Sequence, residues 1–521
     1  MTRPLHIADV IEAMADAVPD RMAVVTLDRD YTYAEVDERS TRLANHLVSL
    51  GISPGDHVAV HSANRIEWVD AFYGCLKARA VPININYKYL HDELAYLYEN
   101  ADCVAAIVAP EHVDAVKALD LPNLKHLIVL GEEYDAALAA ASTERLGGRS
   151  PDDHYVLYTG GTTGSPKGVI WRNEDIIKAA LNAGRFGAPI ESVEKLAEEA
   201  AANETPMTML ACGPMMHGGS QWILGNGHVS GARVALFTEP NFSAERILDL
   251  VQKAGVNSLT FLGDAMGRPV AEAILAEPDR WDLSSLVAVS NGAAPLTEGV
   301  REEIRQALPG RFILDSYGAS ESGATGSRID DGTEGAAGAP KFGVGDDVEV
   351  FDEDLKPCPP GVDGMLGRSG AIPLGYYKDP VKTAATFKEI AGVRWSIPGD
   401  HARRELDGSV TVLGRGSVCI NTGGEKVHPE EVEAVLLRHD DVFDAVVVGT
   451  PHERWGQQVT ALVQRRDGST VSEEELREHA RSLISNYKVP KQVLFIEQVP
   501  RTPVSKVDYP ASAELALRLL G

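Results

Sequence analysis

The chain has 521 residues, 44% hydrophobic and 24% charged, and a formal net charge of −27 from 76 acidic against 49 basic side chains. That length exceeds one ordinary core, so two or three folding units are expected, and the composition is globular, neither disordered nor fibrous. No basic cluster is available to displace counterions from a nucleic acid, the acidity would repel an anionic membrane, and an anionic ligand must be held by local devices.

In chain order, the opening residues Met-Thr-Arg-Pro-Leu-His-Ile-Ala-Asp contain no apolar signal core, and no run of about 18 apolar residues follows. Neither secretion nor a membrane span is expected. Apolar residues every three or four positions over 33–47 predict an amphipathic helix. A strand at 57–61, a helix over 66–77, the stretch 80–85 and buried strands at 104–108 and 126–130 follow, an alternation that argues for α/β architecture with largely parallel sheets. The acidic, alanine-rich segment 190–204 reads as a solvated surface helix, and 344–361 as short strands with tight turns. Beyond Gly414 and Arg415 the character changes. A helix begins at Pro429 with acids in its first turn, a strand spans 442–448, a helix over 472–484 is capped by Ser472 with Glu475 three residues on, and a strand spans 492–496. These residues predict a small α+β domain, so the expected division is 1–414 and 415–521. The five cysteines, Cys75, Cys103, Cys212, Cys358 and Cys419, are scattered and odd in number, without a CxxC pair. They fit a reducing cytoplasm better than a disulfide framework or a zinc site.

Between a strand at 155–159 and a second from Val169 lies a glycine-rich loop, 160–168, containing Gly160, Gly161, Thr162, Thr163, Gly164 and Lys167 and preceded by Thr159. Glycines let backbone amides approach phosphate oxygens, hydroxyls add donors and a lysine neutralises charge. Lys167 follows Pro166, whereas a Walker A loop requires Gly-Lys followed by Ser or Thr.

This loop resembles the phosphate-binding signature of the adenylate-forming superfamily: acyl-CoA synthetases, luciferases and peptide-synthetase adenylation domains. Further stretches resemble its motifs in the family's order: Asp315-Ser-Tyr-Gly-Ala-Ser-Glu321, with Ser320 for the usual Thr; Arg394 to Asp400; Gly414-Arg415; Asn421 to Glu433; and Pro500-Arg-Thr-Pro-Val-Ser-Lys506, with Ser505 for the usual Gly. The resemblance covers essentially the whole chain. It implies a large N-terminal domain of α/β subdomains plus a β-rich one, followed by a small mobile C-terminal lid, and a reaction in which ATP, Mg²⁺ and coenzyme A activate a small-molecule carboxylic acid.

By the same resemblance, Lys506, His217, Thr162 and Lys167 are catalytic and Glu321 is the Mg²⁺ ligand. The nucleotide site comprises the loop from Thr159 to Lys167, with Asn291, Gly292, Ala293, Ala294, Asp315, Ser316, Tyr317, Gly318, Ala319, Ser320, Asp400, Arg415, Gly424 and Lys506. Tyr317 would stack on adenine, Asp400 and Arg415 would hold ribose, and the Gly424 loop would reach the thiol channel after rotation about a hinge just past Arg415, where this chain has Ser417. His217, Gly219, Trp222, Gly292 and Gly318 would border the acyl pocket, with Gly292, Ala293 and Gly318 leaving room for a bulky or long acid. The branch it resembles in particular is the actinobacterial fatty-acid-CoA ligases, some of which act on steroid side-chain acids. Two alternatives are an enzyme that loads a separate carrier protein and a noncatalytic nucleotide-binding relative. A homo-oligomer is compatible with the sequence.

Overall fold

The computed structural model describes residues 3–521 except 162–163, 183–184, 186–187, 293–295, 331–339, 416–417, 419, 423–424, 453–455, 485 and 503–506; at 160–161, 164–165, 415, 421, 425–426 and 456 it describes backbone alone. Four sheets organise the described residues. A four-stranded parallel sheet orders Val81–Asn84, His57–His61, Cys103–Val108 and His126–Val129. Every residue of Val81–Asn84 and of His57–His61 is buried, as a sheet covered on both faces requires. The helices Tyr33–Ser49 and Ile66–Lys77 pack against each other. The first starts at a capping box in which Thr32 and Glu35 satisfy each other's backbone amides.

A fifteen-stranded mixed sheet is the spine. Its parallel half places Arg233–Leu236, Thr208–Ala211, Ser258–Phe261, Ala288–Asn291 and Phe312–Ala319 side by side. From Phe312–Ala319 it continues antiparallel through Gly323–Asp330, Lys341–Val344, Val410–Arg415, Asp400–Arg404 and Asp363–Arg368. Thus Asn291 pairs with Asp315 and Asp400 with Arg415, residues far apart in sequence meeting through register. The third sheet is the hairpin His154–Gly161 and Gly164–Arg172, extended by Gly375–Tyr376. A five-stranded sheet past residue 420 has its own core of Ile420, Val432, Val447, Ala461 and Leu476, with helix Glu473–Leu483 capped by Ser472 and Glu475 as expected. The strand Val410–Arg415 runs through the expected division at 414/415.

Three expectations change. The nine-residue loop is strand on both sides: Tyr158 pairs with Gly168, Thr159 with Lys167 and Gly161 with Gly164. Gly168 is demanded by packing, since a Cβ there would lie 2.7 Å from the Tyr158 ring. The solvated helix is shorter, Val193–Ala202, and buries Val193, Leu196 and Ala200 in the cluster that also holds the N-terminal helix Ile7–Ala17. Of 126–130, only Ile128 and Leu130 are buried.

Gly318 sits at a register shift between Phe312–Ala319 and Gly323–Asp330, and a Cβ there would fall 2.3 Å from the Gly323 carbonyl oxygen. At Gly292 the nearest atom would be Ser316 O at 3.6 Å, an ordinary contact. Gly318→Ala is therefore expected to cost about 2 kcal/mol or more, and Gly292→Ala about 0.5 kcal/mol or less, by urea unfolding.

Candidate active site

Lys167 lies on the second hairpin strand opposite Thr159. Its Nζ is 2.5 Å from Asp379 Oδ2 and 5.9 Å from the centre of the Tyr376 ring. Tyr376 belongs to the short strand zipped onto the same hairpin, paired with Val169. Its hydroxyl donates to Glu321 Oε1 at 2.9 Å, so one tyrosine touches both the lysine and the acid expected to bind metal. Lys167, then the Lys382 amide, holds the Asp379 carboxyl below the usual carboxylate range.

Glu321 stands in the turn joining Phe312–Ala319 to Gly323–Asp330. Side chains from three other strands satisfy this turn's carbonyls. Trp171 Nε1 donates to Ser320 O at 3.0 Å, Ser396 Oγ to Glu321 O at 2.5 Å, and the buried Arg368 guanidinium to Ser322 O and, at 2.6 Å, to Ala324 O. Turn carbonyls are costly to bury without partners, so this donor set fixes where the carboxylate stands. Among the described residues no group of three or more His, Cys, Asp or Glu could hold a metal. A single hard carboxylate suits Mg²⁺ that brings phosphate oxygens and water as its other ligands.

The nucleotide residues fall into two settings. Asn291 donates to Asp315 Oδ1 at 3.3 Å and accepts from the Gly263 amide at 2.9 Å, both side chains being buried. Asp315 also accepts from Arg301 at 2.8 and 2.7 Å and from Arg328 at 2.7 Å, so its carboxylate braces the strand ends through ion pairs. Tyr317 packs on the cluster of Val348, Val350, Ala402 and Val410, its ring 5.5 Å from that of Phe342. A small cavity of about 10 Å³, room for about one water, is lined by Tyr317 and Asp400, with Arg368 and Ser396 also in its lining. Asp400 is buried, Ser316 and Gly318 are exposed, and Ala319 and Ser320 are half-buried. The space beside Gly318 belongs to the Gly323 carbonyl, so glycine there serves the ladder.

His217 immediately precedes the helix Gly218–Val229 in extended conformation, and its side chain makes no capping bond there. Two asparagines absent from the sequence-based set hold this segment. Asn84 donates to Tyr158 O at 2.8 Å and Met216 O at 2.6 Å, tying the hairpin to the residue before His217. Asn64 donates to Gly213 O and Phe237 O, each at 3.0 Å, and accepts from Met215 N. Gly219 is exposed, and Trp222 is half-buried against the large core. A Cβ at Gly218 would lie 2.4 Å from Leu157 Cδ2, the far end of a side chain that would have to turn aside.

Thr162, Thr163, Ala293, Ala294, Gly424 and Lys506 lie outside the described residues, as do the side chains at 160, 161, 164 and 415. Flanking Lys506, Arg501 pairs with Val507 across an isolated bridge, and its guanidinium lies 2.5 Å from Asp444. The structure therefore joins Lys167 to Glu321 through Tyr376, Asn291 to Asp315, and Tyr317 to Asp400. Tyr376, Asp379, Arg368, Ser396, Asn84 and Asn64 were missed by the sequence reading. The Asp379-Pro380 pair, a helix-start signal, could have flagged Asp379 as a cap.

The family of AMP-binding enzymes matches residues 11–377, and the AMP-binding enzyme C-terminal domain matches 431–506. A 3-oxocholest-4-en-26-oate–CoA ligase of Rhodococcus rhodochrous is 43% identical, across 97% of this chain and 95% of its own length. A medium/long-chain-fatty-acid–CoA/3-oxocholest-4-en-26-oate–CoA ligase of Mycobacterium tuberculosis is also 43% identical, across 98% and 96%. Among solved structures, ATP-bound MatB from Rhodopseudomonas palustris superposes with a TM-score of 0.84 at 24% identity, covering 100% of both chains. The anthranilate CoA ligase AuaEII in complex with anthranoyl-AMP gives 0.85 at 23%, covering 100% of this chain and 99% of its own, which establishes the shared fold.

Arg368→Met removes a donor that reaches Ser322 O, Ala324 O and, at 3.4 Å, Ala179 O. Its expected cost is about 2 kcal/mol or more by urea unfolding. The Arg368 partner Asp347 has a side chain 41% exposed, so Asp347→Asn should cost about 1 kcal/mol or less.

Proposed function

This chain belongs to the AMP-binding enzyme family, and from that premise we propose that it is an acid–CoA ligase acting on a hydrophobic carboxylic acid. In the first step a carboxylate oxygen attacks the α-phosphorus of ATP and pyrophosphate leaves, giving acyl-AMP. In the second the thiol of CoA attacks the acyl carbon and AMP leaves, giving the thioester. The observation that carries this reading is the linkage of Lys167 and Glu321 through one tyrosine, beside the cavity between Tyr317 and Asp400. A cation, a hard oxygen ligand, an aromatic ring and a carboxylate are the groups such a step would use, which supports the reading.

The first step brings two anions together, so charge must be neutralised and the reactants aligned before the bond forms. We assign Lys167 and the Thr162 and Thr163 hydroxyls to the phosphates. Tyr317 and the 291–294 strand end take the two faces of adenine, and Asp400 and Arg415 the ribose. Glu321 would hold Mg²⁺, which when bound neutralises phosphate oxygens. Lys506 supplies the ammonium that balances charge at the pentacovalent phosphorus, and His217 lies near the acid carboxylate and the thiol path. Residues 1–414 form the adenylating domain and 415–521 the lid bearing Lys506. The relatives' names support fatty and steroid side-chain acids as the substrate class. Buried, free Cys75, Cys103, Cys212 and Cys358 fit a reducing cytoplasm, where CoA also keeps its thiol.

Incubation with ATP, Mg²⁺, CoA and a panel of acids tests the reading: AMP and acyl-CoA should accumulate together with fatty acids or 3-oxocholest-4-en-26-oate. Acyl-AMP without acyl-CoA would transfer the assignment to carrier loading, and no response to any acid would remove it. Lys506→Ala should slow acyl-AMP formation by about 100-fold or more while leaving conversion of supplied acyl-AMP to thioester within about threefold. Equal loss in both halves would contradict the role of Lys506.

A further inference from the structure

Lys167 is held by a carboxylate that no motif marks. Asp379 Oδ2 sits 2.5 Å from Lys167 Nζ, while Oδ1 accepts from the Lys382 amide at 2.8 Å and caps the helix Pro380–Thr386. The residue before it, Lys378, adopts φ +54°, a conformation that non-glycine residues avoid. Such strain persists only where surrounding contacts impose it. Beside it Asp102 accepts from the Tyr377 hydroxyl at 2.8 Å and pairs with Lys378 Nζ at 2.6 Å. On the other side Thr383 Oγ1 donates to Asp379 O at 2.8 Å and accepts from the Tyr376 amide at 2.9 Å, closing the turn onto the strand zipped to the hairpin. The segment 375–383 is thus a built bracket whose strained turn aims one carboxylate at the hairpin lysine.

We propose that Asp379 is the positioning residue for Lys167, holding its ammonium at the hairpin so that it meets the phosphates of ATP in a defined place. The assignment rests on the reading that this hairpin receives ATP phosphates. A lysine is a point charge on a flexible four-carbon stem, and fixing it otherwise costs rotamer entropy at the moment of binding. The Asp379 side chain is 29% exposed and its charge faces Lys167, so it orders the cation while the pair remains open to a third partner. The lowered Asp379 pKa is consistent with a carboxylate that stays ionised across the working range.

Asp379→Asn keeps a side chain that caps helices well and removes the charge facing Lys167. With the full-length chain, the dissociation constant for ATP in the absence of acid substrate is measured calorimetrically for wild type, Asp379→Asn, Lys167→Gln and the double variant, alongside melting temperatures. Asp379→Asn should weaken ATP binding about fivefold or more with an unchanged melting temperature, and add less than about twofold when Lys167→Gln is already present. Asp379→Ser, which also caps, should follow Asp379→Asn. Unchanged or tighter ATP binding in Asp379→Asn, or the same increment with and without Lys167, would overturn the assignment. Wild-type protein that binds no ATP would instead overturn the functional reading beneath it.

Discussion

The carbonyls of the turn at 320–322 and of Ala324 just past it are the constraint on which the rest of the site depends. This turn joins the parallel half of the spine sheet to its antiparallel half, and its carbonyl oxygens are bonded by Trp171 of the hairpin, Ser396, and Arg368 of the antiparallel strands. A buried carbonyl forfeits its water and must regain a donor. Meeting that requirement from three other strands locks the hairpin, the strand ends and the antiparallel extension into one arrangement. Glu321 and Tyr376 stand at its centre because the carbonyls beside them are satisfied.

Charge explains the second layer of the design. In a chain of net charge −27, an anionic substrate meets a repulsive average field. The structure answers locally: Arg301 and Arg328 neutralise Asp315 beneath the strand ends, Arg368 is donated to carbonyls beside the Tyr317–Asp400 cavity, and Lys167 is held at the hairpin by Asp379. Each of these cations has a short, named restraint, and of them only Lys167 is assigned above to the phosphates. Family membership and the relatives' names supply the chemistry proposed here, and the restraints describe how these side chains could serve it.

Much of this was legible in the sequence, for reasons that can be traced. Helix Tyr33–Ser49 buries one face behind a capping box, and periodicity finds it, whereas Ile66–Lys77, buried except at Glu67, is legible from its place between strands. The N-terminal helix Ile7–Ala17 escaped because nearly all its sides are buried, Asp9 and Glu12 included. Those acids are tolerated because Arg149, 140 residues away from Asp9, pairs with both. Both flanking strands are legible, and the ladder extends them into the glycine-rich stretch, where Gly and Pro are turn signals, through Gly161 and Gly164–Gly168. Asn291 and Asp315 were both legible as motif residues, and parallel register then set them side by side. Tyr376 and Asp379 were not legible as site residues. Asp379 meets Lys167 across 212 positions of sequence, and only the added strand Gly375–Tyr376 brings it there. The roles of Gly168 and Gly318 were also hidden, since a glycine needed for close approach looks in sequence like one needed for a flexible loop.

The central claim, that a carboxylate oxygen attacks the α-phosphorus of ATP, can be followed atom by atom. Turnover of an acid labelled with ¹⁸O in its carboxyl group, with ATP and CoA unlabelled, is analysed by mass spectrometry of the nucleotide product. Attack at the α-phosphorus followed by thiol displacement leaves one acid-derived oxygen on the phosphate of AMP. Label in AMP equal to one oxygen per turnover is the predicted result. Unlabelled AMP, or ADP as the nucleotide product, would contradict it.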